Sequence, residues 1–502
     1  MISLGAAVWQ PFEDGQLHVT LDAQHRFMKH ATLLMQTRKS SLMRCIVWAW
    51  LVGSLAVCVA RAQTKVEPGQ TANPACRIEA VDYKGWNAQQ VSNHWVHLIV
   101  VPQNGGRLMQ VIFAGHDYLF VNPKYAGKYL PPTQSQWFNY GGDKIWLLPE
   151  GSHDEQHWAG GSDLLDDGAY SFRKLSEGQT CEIELSGPPD RQSGIQFIRT
   201  IHLDADSPRI RFHVVMKNTT GHDLEWSMQS VSQYDTADPG NRAHMNRNFW
   251  TFTPVNPSSS YLNHYHVRFG PAENRAVSVR EDGLFVVHYA YLAAELWLDS
   301  TAGWLTLVDG NARYAMVERF RYEEAKPYPG KASVIFWTNG PELRLNAEGI
   351  ATLGSGEGRE APYYLEAEIN SPLCRLRPGE SCNLDTEWFP TRAGSDFHGI
   401  NDAGVVVQPL RASRLESGKI RLSGSFGVFF PGRLVARFYN EHGSSLGTVP
   451  VVDVDPAKPV FLETEISSPG KSARLSLHLD DANGVDRGSL EEVPVSGAAE
   501  TH

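Results

Sequence analysis

The chain lacks a cluster of basic residues after its first 45 positions, and this excludes nucleic acid and anionic membrane surfaces as its main partners. Both are recognised through grouped Lys and Arg side chains. Acidic residues are in excess instead, because 56 Asp and Glu oppose 45 Lys and Arg for a formal net charge of -11. We therefore expect no nucleic-acid partner.

The chain also lacks long helical periodicity, a phosphate-binding glycine loop and a G-x-S-x-G nucleophile elbow. The missing motifs exclude the common nucleotide-binding and α/β-hydrolase sites, and no cofactor is expected. His153 and His157 have the spacing of two zinc ligands, but the glutamate between them is displaced and glycines surround them. Since that motif needs a helix to align both imidazoles, no metal site is expected.

Cysteine is scarce, with six in the chain. Cys45 and Cys58 fall in the predicted signal peptide, which leaves Cys76, Cys181, Cys374 and Cys382. Four cysteines in an exported protein permit two disulfides. The last two bracket a turn between strand-like runs and are expected to pair, and the other pair then follows by elimination.

A signal peptide is predicted over residues 43–62. Basic residues precede an apolar run that ends in a small-residue cleavage pattern, with cleavage after Ala62. The run is too short for a comfortable membrane span, so the mature chain is expected to be periplasmic or secreted without a span. Cys58 could alternatively be a lipoprotein cysteine. Residues 1–42 are interpreted as an extension from a start codon placed too early.

Period-two alternation of apolar and polar residues is the main pattern from residue 77 onward, for example in Ile195–His202 and Ile210–Met216. Such runs predict antiparallel strands, and their number favours an extended β-sandwich. Because 502 residues exceed the usual size of one core, two domains are expected: a large one over 76–392 and a small β-sandwich over 404–485. The acidic segment 486–502 is expected to be a disordered tail.

Three segments carry the chemistry: Gly105–Arg107, the run NYGGDKIW at Asn139–Trp146, and YLEAE at Tyr364–Glu368. Together they resemble an uncharacterised bacterial family of the galactose-mutarotase-like, or aldose 1-epimerase-like, superfamily over the whole first domain. The resemblance implies an all-β fold, a β-supersandwich with a cleft of the size of a sugar, followed by the small C-terminal sandwich.

The resemblance also implies a catalytic pair. Aldose epimerases use a carboxylate to take the anomeric proton and an acid to protonate the ring oxygen. Glu366 matches the family glutamate on a late strand, and Glu368 lies on the same strand face, where it would raise the pKa of Glu366 or bind a hydroxyl. The competing interpretation is a pair of solvent-facing acids on a strand. Gln229 stands nearest the place of the family histidine, and an amide cannot deliver a proton. Lys144, or a histidine from elsewhere, is the expected acid.

Asn139, Asp143 and Trp146 are the remaining substrate-binding candidates. Trp146 or Trp137 is expected to stack on the sugar, and Asp143 is expected to pair with Lys144 or accept a hydroxyl. The competing interpretation is a tight Gly-Gly turn with a surface ion pair. Two functions follow. The first is an exported protein that binds a small-molecule carbohydrate or glycan and acts as an aldose epimerase. The alternative is a non-catalytic glycan- or envelope-binding module that has lost its acid.

Overall fold

A computed structural model describes residues 75–133, 136–151, 156–159, 164–345, 351–353 and 362–497. The predicted extension 1–42, the signal peptide 43–62 and Cys58 lie outside the described residues. No helix in the described ranges is long and apolar enough to span a bilayer.

Strands make up nearly all the regular structure, which confirms the predicted all-β fold. The strands of the first half are β1 (Arg77–Tyr83), β2 (Trp86–Ser92), β3 (Val96–Val101), β4 (Arg107–Phe113), β5 (His116–Asp117), β6 (Asp143–Leu148), β7 (Ser171–Ser176), β8 (Thr180–Ser186), β9 (Ile195–Asp204), β10 (Ile210–Asn218), β11 (Leu224–Asp235), β12 (Ala237–Asp238), β13 (Asn241–Met245), β14 (Phe249–Pro254), β15 (His266–Phe269), β16 (Val277–Val279) and β17 (Leu284–His288). Those of the second half are β18 (Ala294–Leu298), β19 (Trp304–Asp309), β20 (Tyr314–Phe320), β21 (Val334–Thr338), β22 (Leu343–Leu345), β23 (Ala351–Leu353), β24 (Tyr364–Asn370), β25 (Cys374–Leu376), β26 (Ser381–Thr391), β27 (Gly399–Ile400), β28 (Gly404–Arg414), β29 (Ile420–Val428), β30 (Gly432–Tyr439), β31 (Ser445–Val454), β32 (Val460–Ile466), β33 (Arg474–Asp481) and β34 (Asp486–Ser496). The described helical segments are the one-turn helix α1 (Leu164–Asp167) and a 3₁₀ turn at Pro329–Lys331.

Two large antiparallel sheets form the first domain. The first sheet has the strand order β1-β2-β3-β4-β6-β11-β24-β21-β18-β15, with β5 and β25 attached at its side. The second sheet has the order β16-β17-β14-β19-β20-β26-β10-β9-β8-β7. Apolar residues of both sheets, such as Leu98 and Leu365 of the first and Phe212 and Trp388 of the second, share one core. The sheets therefore face each other as a sandwich.

The C-terminal domain packs on the other face of the second sheet. Trp388 belongs to the core between the large sheets, whereas its neighbour Phe389 belongs to a second core that it shares with C-terminal residues such as Phe426 and Leu477. Alternation along β26 explains the division, because successive side chains point to opposite faces. The domain has strand order β31-β30-β33-β34-β28-β29-β32, with β27 beside β28.

The predicted disordered tail is wrong for residues 486–496, which form strand β34. This strand pairs with β33 along most of its length and with β28 at its end. Its hydrophobic content is low, but Leu490 is only 1% exposed and Val493 and Val495 pack against the same core. Backbone pairing plus one buried leucine thus orders a segment whose composition suggested disorder.

Gly141 and Gly142 set the position at which β6 begins. Both have positive φ angles, 91° and 74°, which side chains other than glycine rarely adopt. A Cβ at Gly141 would lie 2.1 Å from the carbonyl oxygen of Phe120, and one at Gly142 would lie 2.7 Å from that of Leu108. The two glycines therefore allow this loop to pass close to the backbone at Phe120 and Leu108. Strand β6, which contains Lys144, begins directly after them.

Disulfides join Cys76 to Cys181 and Cys374 to Cys382, which are the two pairs expected from the sequence. The first links the start of β1 to β8 of the second sheet. The second closes the short loop between β25 and β26.

Candidate functional site

The predicted catalytic residues lie on one face of the first sheet, where β6, β11 and β24 are neighbours. Register pairs Val231 of β11 with both Lys144 and Glu368, and it pairs Gln233 with Glu366. Directly paired residues in an antiparallel sheet point to the same side. We call this side the cleft face: it carries Lys144, Gln229, Gln233, Glu366 and Glu368 and points away from the second sheet.

Lys144 and Glu366 are in contact on the cleft face. The Lys144 Nζ atom lies 3.5 Å from the Glu366 Oε1 atom, and their side chains are 1% and 7% exposed. The ammonium also lies 4.5 Å from the ring centroid of Trp146 and 5.8 Å from that of Trp137. The fold thus joins two segments that are far apart in the sequence, and aromatic rings flank the charge pair.

Two glutamines hold the two glutamates. Gln233 donates its Nε2 hydrogen bond to Glu366 Oε1, and Gln229 donates to Glu368 Oε2 at 2.5 Å. The Oε1 atoms of both glutamines are buried and accept no hydrogen bond within the described part of the chain. A buried acceptor without a donor is costly, so both amides present unused acceptors beside the carboxyls.

Further carboxyls lie near Glu368, and the pKa values of Glu150, Glu295 and Glu368 are all raised. Burial, reinforced by the charges of Glu295 and Glu366, raises the pKa of Glu150 to about 8. Burial also raises the pKa of Glu295, and Glu366 adds to that rise. Burial and the neighbouring Glu366 hold the pKa of Glu368 well above its usual range. Glu368 therefore keeps its proton more readily than an ordinary glutamate does.

Trp146 is nearly enclosed, with 5% exposure. Its indole N–H donates to Asp166 Oδ1 at 2.7 Å, and Trp137 donates to the other oxygen at 3.2 Å. Asp166 is in turn paired with the buried Arg107 at 2.8 Å. This network fixes Trp146 in place, whereas Trp137 is half-buried and is the more accessible ring.

Asp143 does not join Lys144, contrary to the prediction. Neighbours on a strand point to opposite faces, so Asp143 lies between the two sheets, where it pairs with buried Arg199 of β9. Its other oxygen accepts hydrogen bonds from Ser232 at 3.1 Å and Ser230 at 3.4 Å. Asp143 is a buried structural carboxylate and cannot reach a ligand on the cleft face.

Glu318 of β20 completes this polar cluster between the sheets. Tyr234 donates a hydrogen bond to Glu318 Oε1, and the glutamate is fully buried. Burial raises the pKa of Glu318 to about 8; the Asp143 charge adds to the rise, and the bond from Tyr234 opposes it. The folded protein therefore holds Glu318 protonated at neutral pH.

We expect Glu318→Gln to make the protein more stable above neutral pH and less sensitive to pH. Between the ordinary pKa of 4.5 and the folded value of about 8, the fold holds a proton that the unfolded chain has lost. The free energy of unfolding therefore falls by about 1.4 kcal/mol per pH unit as pH rises through that window. Glutamine keeps the shape and removes this slope. Urea denaturation from pH 5 to pH 9 measures it.

The control for that experiment is Glu463→Gln, on the exposed side of β32. It removes a carboxyl at the surface and is expected to leave the curve of stability against pH unchanged. If Glu318→Gln and the wild type instead have parallel curves, Glu318 is ionised in the fold and the protonated assignment is wrong.

Asn139 lies at the rim of the cleft face and is half-buried. Its Oδ1 atom accepts a hydrogen bond from the Gly141 N–H at 3.2 Å. Its side chain also lies near Tyr364, whose pKa it helps to lower against the larger effect of burial, and Tyr364 shares the cleft face with Glu366. The structure thus brings Asn139, Lys144, Gln229, Glu366 and Glu368 together and separates Asp143 from them.

Three residues of this site were missed from the sequence. Gln233 lies near the end of β11, which runs to Asp235. Gln233 lies four positions after Gln229, a spacing that signals one strand face. Glu150 follows directly after the NYGGDKIW run and its Leu-Leu-Pro extension. Glu295 lies on β18, a five-residue strand that the alternation pattern did not reveal.

The chain matches no protein-family model and no curated protein sequence. Solved structures similar to it include a TPR-domain containing protein from Parabacteroides distasonis, at 14% identity and a TM-score of 0.42 over 63% of this chain; the chain spans 48% of that protein. A galactose mutarotase-like protein from Clostridium acetobutylicum is similar at 11% identity and a TM-score of 0.40, covering 64% of this chain and all of that one. A putative aldose 1-epimerase from Klebsiella pneumoniae is similar at 10% identity and a TM-score of 0.39, covering 64% and 84%.

Proposed function

We propose that the chain is an exported carbohydrate-binding protein and that its cleft face carries out aldose epimerisation. The observation that supports this most is the contact of Lys144 with Glu366 at 3.5 Å, next to a second carboxyl, Glu368, on the same face. A base and an acid on one sheet face are what interconversion of sugar anomers needs.

In the proposed reaction Glu366 takes the proton of the anomeric hydroxyl while Glu368 gives its proton to the ring oxygen. The bond between the anomeric carbon and the ring oxygen breaks as the carbonyl forms. Rotation of the aldehyde and reversal of both proton transfers close the other anomer and restore both carboxyls. Residues two apart on a strand are roughly 7 Å apart, which suits groups on either side of one anomeric centre.

Lys144 has a different role in this proposal from the acid role first assigned to it. Glu368 takes the acid role here because burial and Glu366 hold its pKa well above the ordinary range. Lys144 instead supplies the counter-charge to Glu366, held against Trp146. The amides of Gln229 and Gln233 and the side chain of Asn139 bind sugar hydroxyls, and Trp137 packs against an apolar face of the ring.

A second candidate function is glycan binding without turnover. It is favoured by the contacts of Glu366, whose Oε1 atom meets both Lys144 and Gln233, and by Gln229 at the place of the histidine that the resemblance implies. On this account the carboxyls bind hydroxyls, and the face serves as a lectin-like site.

Export is supported by the two disulfides. Such bonds persist in oxidising compartments and are rare in the cytosol, and both pairs are formed in the structure. We propose a periplasmic or secreted location on this basis, together with the signal peptide predicted over residues 43–62.

Polarimetry on freshly dissolved α-D-glucose and α-D-galactose tests the proposal. We expect the purified protein to accelerate the change of optical rotation above the buffer blank in proportion to its concentration. Calorimetric titration with the same sugars runs in parallel. Saturable binding together with a mutarotation rate equal to that of the buffer blank would support the non-catalytic function. The absence of both binding and acceleration would contradict both candidate functions.

A further inference from the structure

The cleft face continues beyond Glu366 to the edge of the first sheet. The neighbouring strands β11, β24, β21, β18 and β15 each place one side chain beside the next, and the register gives a row of five residues: Gln233, Glu366, Trp337, Glu295 and Phe269. Directly paired residues share a face, with Cβ atoms roughly 5 Å apart. The rings of Trp337 and Phe269 therefore extend the cleft face from the proposed base to the edge strand β15.

A second row lies beside the first and also ends in rings. Its members are Lys144, Val231, Glu368, Ile335, Trp297 and His266. The rings of Trp297 and His266 meet edge to face at 6.3 Å, and in the first row Phe269 stacks on Trp337 at 5.6 Å. We call Trp337, Phe269, Trp297 and His266 the aromatic strip.

Exposure increases from the proposed base along the aromatic strip. The side chain of Glu366 is only 7% exposed. Trp337 and Trp297 are half-buried, whereas Phe269 is 38% exposed and His266 is exposed. The site is thus enclosed at Glu366 and open at the edge of the sheet, so a ligand can end beside Glu366 and leave the site over the rings.

The first row alternates carboxyls with rings. Glu295 stands between Trp337 and Phe269, and its Oε1 atom accepts a hydrogen bond from the indole N–H of Trp297 at 2.6 Å. Such a row fits a sugar, because rings contact its apolar face and carboxyls accept hydrogen bonds from its hydroxyls. From Glu366 to Phe269 there are three strand spacings of about 4.8 Å each, roughly 14 Å in all, which is longer than one sugar ring.

We propose that the ligand of the cleft face is the reducing end of an oligosaccharide, with its terminal sugar at Lys144 and Glu366 and its next sugar on Trp337 and Phe269. This inference rests on the proposed function, since it names the substrate class of the same site. A monosaccharide fills the enclosed part and leaves the aromatic strip unused. The terminal sugar needs a free anomeric hydroxyl, because that is the group on which Glu366 acts.

Isothermal titration with D-glucose, maltose, cellobiose and lactose tests this inference, because the three disaccharides all end in a reducing glucose. We expect at least one of them to bind roughly tenfold more tightly than D-glucose, about the value of an added aromatic contact. Trehalose is the control of equal size: its two glucose units are joined through both anomeric carbons, so it has no reducing end and should lack the advantage.

Two variants locate the contact with the second sugar. Trp337→Ala and Phe269→Ala should each reduce the preference for the favoured disaccharide over D-glucose by several-fold, up to roughly tenfold. Phe269 lies at the sheet edge and is already 38% exposed, so its loss is expected to leave the fold intact. The matched control is Phe461→Ala, which removes a ring that is 61% exposed on β32 of the C-terminal domain and should leave the preference unchanged.

Equal affinity for D-glucose and all three reducing disaccharides would overturn the inference, as would a preference that both variants retain or that trehalose shares. Polarimetry on α-D-glucose reports separately on the proposed function. A protein that accelerates mutarotation but prefers no disaccharide would keep that function and lose this inference, and a protein that binds none of these sugars would lose both.

Discussion

Replacing Glu366 with glutamine is expected to lower the rate of mutarotation by about 10²–10⁴-fold, the usual contribution of a positioned general base. Glutamine preserves the size of the side chain and accepts hydrogen bonds from Lys144 and Gln233, but its amide cannot take up the anomeric proton. Polarimetry on α-D-glucose gives the rate, and calorimetry on the same variant shows whether the sugar still binds.

Two matched variants make that result specific. Glu368→Gln changes the proposed acid on the same strand face and should also reduce the rate while leaving binding measurable. Glu463→Gln changes an exposed glutamate of the C-terminal domain and should have the wild-type rate. If Glu366→Gln retains the full rate above the blank, Glu366 is not the base and catalysis occurs elsewhere.

Replacing Arg199 with methionine is expected to destabilise the fold by about 3–5 kcal/mol, the usual cost of removing one partner of a buried ion pair. The guanidinium pairs with Asp143 between the sheets and lies over the ring of Phe212, 4.7 Å from its centroid. Methionine fills similar space but leaves the Asp143 carboxylate buried with only serine donors. Denaturation in urea at pH 7, with disulfides intact, measures the loss.

The double variant Asp143→Asn with Arg199→Met distinguishes two contributions to this loss of stability. One is the loss of the ion pair itself, and the other is the cost of leaving the Asp143 charge buried without a partner. Because the carboxylate is then absent, we expect the double variant to be more stable than Arg199→Met alone. Strict additivity of the two single effects would contradict a direct ion pair, since residues in contact couple energetically.

Most strands of the fold could be predicted from the sequence, because the alternation of apolar and polar residues is a local pattern. Ile195–His202 and Ile210–Met216 were predicted, and they lie within β9 and β10. Strand β18 was missed because it has only five residues and its Glu295 and Trp297 are half-buried on the cleft face. Strand β34 was missed because pairing with β33 orders it despite its acidic composition.

The site could be predicted only in part. Alternation shows that Glu366 and Glu368 share a face and implies that Asp143 and Lys144 do not, a consequence that the initial prediction overlooked. Which strands become neighbours depends on long-range register, so no local pattern could place Gln233 opposite Glu366 or Arg199 beneath Asp143. The raised pKa of Glu368 likewise depends on burial and Glu366 and, in smaller part, on Glu295 and Glu150 from distant parts of the chain.

The C-terminal domain and the cleft face lie at opposite ends of a stack of layers. Residues of β26 divide between the core under the cleft-face sheet and the core under the C-terminal domain, so the second sheet separates the two. A molecule bound to the outer surface of the C-terminal domain would therefore leave the cleft face uncovered.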